Sequence, residues 1–204
     1  MSARRLLFQL GQRRDGGVGT EFALVVPVLL LFLLGIIDVG RLMYSLNQVE
    51  KATQIGARMA VVTDMVPGGL YTANYGEILG QGAPITTANF GAARCSKPGG
   101  AVSCDCLTSP CPLLDPVNAD AFNAIVNRMR QISPMIDGQN VVIVYANSGL
   151  GFAGDPNGAD VAPLVTVSAA NLSFSPALLF GGSFNLPAIS ATLTLEDGVG
   201  STYN

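Results

Sequence analysis

Between Phe22 and Ile37 the chain runs sixteen residues without a charge, FALVVPVLLLFLLGII, and a single acid, Glu21, stands directly before that run. As a helix the run covers roughly 24 Å at about 1.5 Å per residue, slightly short of a bilayer core. Continuing through Asp38, Val39, Gly40 and Arg41 to Tyr44 completes a span. A carboxylate drawn into mid-bilayer costs about 2.5–3.5 kcal/mol on insertion scales. An acid at the head of such a helix therefore asks for a functional reason.

Charge is distributed unevenly around the run. Arg4, Arg5, Arg13 and Arg14 against Asp15 give residues 1–16 a net charge of +3, and the rest of the chain carries −6. A basic head, an apolar run and an acidic body are the polarity of a chain with its N-terminus in the cytoplasm and its body exported. The acidic body lacks the basic footprint that nucleic acid requires. With no histidine in the chain, Ser-His, Cys-His and His-ligated metal chemistry are excluded. The run is followed by Gly-Ile-Ile-Asp-Val-Gly-Arg, without the small-x-small site of a secretory signal peptide.

Helical periodicity continues past the run. Leu42, Leu46, Val49, Thr53, Gly56 and Ala60 recur at three- and four-residue steps among Asn47, Gln48, Glu50 and Lys51, and Pro67-Gly68-Gly69 supplies a stop. One helix from about residue 20 to 63 is expected, apolar all round in its first half and amphipathic in its second. Asp38 and Arg41, three residues apart, share a face of it and are candidates for a helix-interface ion pair or for contact with another subunit.

These residues resemble the N-terminal module of the TadE-like family, minor pilins or pseudopilins of the tight-adherence (Flp) type IV pilus system. The resemblance rests on Gly16 followed by Glu21-Phe22, on Pro27-Val-Leu-Leu-Leu, on Gly35-Ile-Ile-Asp38-Val-Gly40-Arg41, and on Ala52 to Ala60 with Gly56-Ala57-Arg58. It covers about residues 13–62. It implies a cytoplasmic leader, residues 1–16, cut by a prepilin peptidase between Gly16 and Gly17. Glycine suits a scissile position because no Cβ obstructs the protease. Glu21 would then be the fifth residue of the mature chain and, with Phe22, a docking site for a neighbouring subunit's freed amino group. Two unit charges at about 4 Å attract by about 4 kcal/mol at an effective dielectric of 20. The implied partners are membrane lipid, the peptidase, other pilin or minor pilin subunits and the pilus assembly platform. The implied location is the bacterial inner membrane, single-pass, with the C-terminal domain periplasmic or extracellular. No catalytic role, cofactor or small-molecule substrate is implied. The competing reading is an unprocessed single-pass anchor that presents a periplasmic binding domain.

Residues 64–204 form the exported part. The four cysteines, Cys95, Cys104, Cys106 and Cys111, lack C-x2-C zinc spacing and suit an oxidising compartment, so disulfides are expected with their connectivity open. Residues 64–109 otherwise read as loop. Asp115-Pro116 is a plausible N-cap and first position for a helix to about Ser133, with Ala121, Ile125, Met129 and Ile132 as its buried stripe. Strands are expected at 141–147, 163–174 and 187–195, with the alternation of an antiparallel sheet. The fold class is α+β: a long N-terminal transmembrane and stalk helix (17–63), then a small exported domain with an antiparallel sheet.

Two loop motifs carry weaker signals. Gly149-x-Gly151-x-x-Gly154 has dinucleotide-fingerprint spacing, but Asp155-Pro156-Asn157-Gly158 behind it is a turn and not a helix start. Asp155, Asn157 and Asp160 have some calcium-loop character, without the glycine position or closing glutamate such a loop needs.

Overall fold

The computed structural model describes residues 17–155, 159–177 and 182–195. Helix α1 spans Gly17–Ala60, slightly earlier at both ends than expected. Two single-turn helices follow, α2 (Gly68–Tyr71) and α3 (Gly76–Leu79), before strands β1 (Ala92–Ser96) and β2 (Ser103–Thr108). Helix α4 (Ala119–Arg130) leads to β3 (Val141–Ala146), β4 (Leu164–Ala169), the two-residue strands β5 (Ser173–Phe174) and β6 (Phe184–Asn185), and β7 (Ile189–Thr194). Five strands form one antiparallel sheet in the order β2-β1-β3-β4-β7, and β5 pairs with β6 separately.

The chain divides into two compact units. Of the described residues, one holds the helix up to Met43 together with 175–177 and 182–183; the other holds those of Tyr44–Phe174 and 184–195. In the second unit the sheet buries one face. Ala93, Cys95, Ile143, Tyr145, Val165 and Val167 are inaccessible, while Arg94, Asp105, Thr166 and Thr192 lie on the opposite, wetter face. The amphipathic part of α1 supplies Val49, Ala52, Thr53, Gly56, Ala57 and Ala60 to the core. Gly56 permits close packing: a Cβ there would lie 2.7 Å from Met129 of α4 and 3.4 Å from Val167 of β4. Helix α4 buries Ala121, Phe122, Ile125, Val126 and Met129 against the same core.

Three expectations need correction. The stretch read as loop before Ser109 contains β1 and β2. Their residues are small and polar, and their extended form comes from pairing: β1 is laddered to β3 on one side and β2 on the other. Close approach at the start of this ribbon requires glycine, since a Cβ on Gly91 would fall 2.0 Å from the Thr108 carbonyl oxygen. Second, α4 begins at Ala119 with Asn118 as N-cap, its side chain accepting the Ala121 N–H at 3.0 Å. Asp115 and Pro116 do not open it, because this stretch is tied elsewhere: Gly68 N–H donates to the Pro116 carbonyl and Asn118 N–H to the Val66 carbonyl. Third, the strand expected over 163–174 breaks after Ala169. Asn171 adopts φ 57°, and the Asn140 amide donates to the carbonyls of Ala170 and Asn171.

Candidate functional site: the N-terminal helix and its charges

Gly17 is the first residue of α1, and the Thr20 hydroxyl donates to its carbonyl at 2.8 Å. Glu21 lies one turn in and is exposed, as is Phe22 at 70%. Gly16, the other half of the expected processing site, and the rest of the leader lie outside the described residues. Added Cβ atoms on Gly17, Gly19 or Gly40 would meet nothing within 4 Å. Packing among the described residues thus gives no reason for glycine at these three positions. Leu, Val and Phe side chains stand outward from Val18 to Leu33, and Pro27 interrupts the ladder once by withholding its N–H from the Ala23 carbonyl. Among the described residues α1 is the one helix long and apolar enough to cross a membrane.

Asp38 differs from its neighbours on the helix. It is 5% exposed, whereas Ile36, Ile37 and Val39 on either side are half exposed or more. Its carboxylate accepts from the Arg41 guanidinium at 3.2 Å and from the backbone N–H of Ala177 at 3.1 Å. The pairing expected from i, i+3 spacing is therefore present, together with a partner 139 residues away that the spacing did not signal.

The family model described as TadE-like protein matches residues 17–58. This stretch is similar to the TadE-like family. The match takes in Glu21, Phe22, Asp38 and Arg41 and ends two residues before α1 does. No curated protein and no solved structure matches the chain. Residues 64–204 lie beyond the TadE-like stretch.

Among them Cys95 is bonded to Cys104 and Cys106 to Cys111. The first bridge joins directly opposed residues of β1 and β2, and the second ties β2 to the chain that leaves it. The glycine-spaced loop after β3 has a backbone explanation: Gly149, Gly151 and Gly154 all have positive φ, at 74°, 105° and 82°. Residues 151–153 run beside 83–85, with Ile85 N–H donating to Gly151 and Ala153 N–H to Ala83. Among the described residues no helix starts at this loop to present N–H groups to a phosphate. Asp160 is buried with both carboxylate oxygens directed at backbone, accepting from Tyr75 N–H at 2.6 Å, Gly154 N–H at 2.9 Å and Asp155 N–H at 3.0 Å. It clamps two loops together. Asn157, the remaining member of the calcium-like trio, lies outside the described residues.

Proposed function

We propose that this chain is a non-enzymatic minor pilin that takes part in assembling an Flp-type adhesion pilus, cut by a prepilin peptidase between Gly16 and Gly17. The observation that carries this reading is the TadE-like stretch itself, which starts at Gly17 and holds an exposed acid on the first turns of an apolar helix. That an added Cβ on Gly17 would meet nothing among the described residues supports a requirement imposed by another protein. The basic residues before Gly17 and the acidic body after it support an N-terminus in the cytoplasm and an exported domain in the periplasm or beyond.

In the assembled state Glu21 accepts the freed amino group of an adjacent subunit, and Phe22 fills the apolar surface beside it. An ion pair formed where water is scarce offsets much of the cost of placing the carboxylate there. Binding energy then comes from the helix, and the exported domain is free to carry other contacts. The test is Glu21→Ala in the native host. Leader removal should be normal, while pilus output and co-purification of partner pilins fall by about tenfold or more, the effect of losing as little as ~1.4 kcal/mol. Unchanged output and co-purification would overturn the docking role.

A further inference from the structure

Asp38 closes the apolar run, and a bilayer whose core matches Phe22–Ile37 therefore has its outer boundary near this residue. Ala177 is held at that level by its bond to the Asp38 carboxylate, and residues 175–177 belong with the helix up to Met43 in one compact unit. The surrounding sequence suits such a place. From Val161 to Leu195 the chain carries no charged residue, and the sequence next to Ala177 reads Leu178-Leu179-Phe180. Charge complementarity points the same way. A carboxylate at the membrane boundary needs donors, and a backbone N–H in that region needs an acceptor; each supplies the other's partner.

We infer that the segment around Ser175–Ala177 is a second lipid contact of the chain, laid against the outer membrane boundary beside α1 and held there by Asp38. Its partner is the headgroup–acyl boundary of the bilayer. Arg41, on the same face one turn further out, donates to the same carboxylate and points a cation toward the headgroup level. The inference rests on the reading that α1 spans the membrane.

The chain contains no tryptophan, so a single introduced indole reports on one place. The experiment uses full-length protein in phosphatidylcholine vesicles whose acyl chains are brominated near the headgroup. Ala177→Trp is the probe; Ala177 is exposed, and the substitution keeps its N–H. Val39→Trp on the helix and Leu107→Trp on β2, both exposed, are the references. Ala177→Trp should emit to the blue of Leu107→Trp and be quenched to within about twofold of Val39→Trp. Emission and quenching like those of Leu107→Trp, with Val39→Trp quenched, would overturn the lipid contact. An unquenched Val39→Trp would instead overturn the spanning helix on which it rests. Adding Asp38→Leu to Ala177→Trp should remove at least half of the quenching, whereas Asp38→Asn, which keeps an acceptor oxygen, should preserve it. Equal quenching in both would contradict the tether.

Discussion

Tyr145 lies in the core of the C-terminal domain, fully buried, with its hydroxyl oxygen accepting the Val66 N–H at 3.2 Å. Burial pushes its pKa above the ordinary tyrosine value of 10.0; Tyr75 is raised too, by burial first and then by the neighbouring Asp160 carboxylate. Both groups are held neutral in the folded state more firmly than in the unfolded one. Their contribution is fully present below about pH 10, where neither state ionises. Above it the unfolded chain loses protons first, so stability falls as pH rises. Denaturant unfolding should therefore give a lower midpoint at pH 10.5 than at pH 8, and a rise over that interval would contradict the assignment. Tyr145→Phe should cost about 1–3 kcal/mol at pH 8 by leaving the Val66 N–H without its acceptor, and should flatten the alkaline fall. A variant equal in stability to the parent would show that the bond contributes little. Individual residues were unevenly legible in the sequence. Asp38 and Arg41 announced each other through spacing along one helix, whereas Ala177 enters through its backbone, which no side-chain pattern can advertise. Asp160 was visible as an acid in a glycine-rich loop. Its use as an acceptor for three N–H groups depends on loops that meet only in the folded chain.

Elements followed the strength of their local signal. Helix α1 was legible because its apolar run and its later three- and four-step stripe are both long, β3 because it is a short run rich in Val and Ile, and β4 and β7 because apolar and polar residues alternate in them. The β1–β2 ribbon was not. Ala-Ala-Arg-Cys-Ser and Ser-Cys-Asp-Cys-Leu-Thr have weak strand preference, and the ladder to β3 decides their state. One local clue was present, since Cys104 and Cys106 are two apart and so share a sheet face. The Cys95–Cys104 bridge locks this ribbon at the sheet margin. Replacing both residues by alanine should lower the domain's unfolding free energy by about 2–3 kcal/mol, the loop-closure value for so short a ring. The measurement is denaturant unfolding without reductant, and an unchanged free energy would mean that β1–β3 pairing alone holds the ribbon. The early start expected for α4 failed for a related reason. Asp115-Pro116 has the chemistry of a helix opening, but the hydrogen bonds at Pro116 and Asn118 go to Gly68 at the start of α2 and to Val66 just before it.

For the whole molecule the organising feature is a helix with two kinds of surroundings. Up to Met43 it belongs to one compact unit and from Tyr44 to another, and its sequence changes character over the same stretch, from uniformly apolar to amphipathic. The TadE-like match covers both parts and stops two residues short of the helix's end, so the similarity to that family lies in the helix. The body beyond it was legible as an α+β domain with disulfides, and the five-stranded sheet, the helix and the two bridges are present; its partners are not written in any motif. The central claim is that Gly16–Gly17 is a cut site and that Glu21 is the fifth residue of the working chain. It is tested most directly by intact mass of the membrane-purified protein from its native host, alongside Gly16→Ala. A mature N-terminus at Gly17 in the parent and an uncut leader in the variant are the predicted result. A parent chain that retains its leader would contradict the claim and leave a plain membrane anchor.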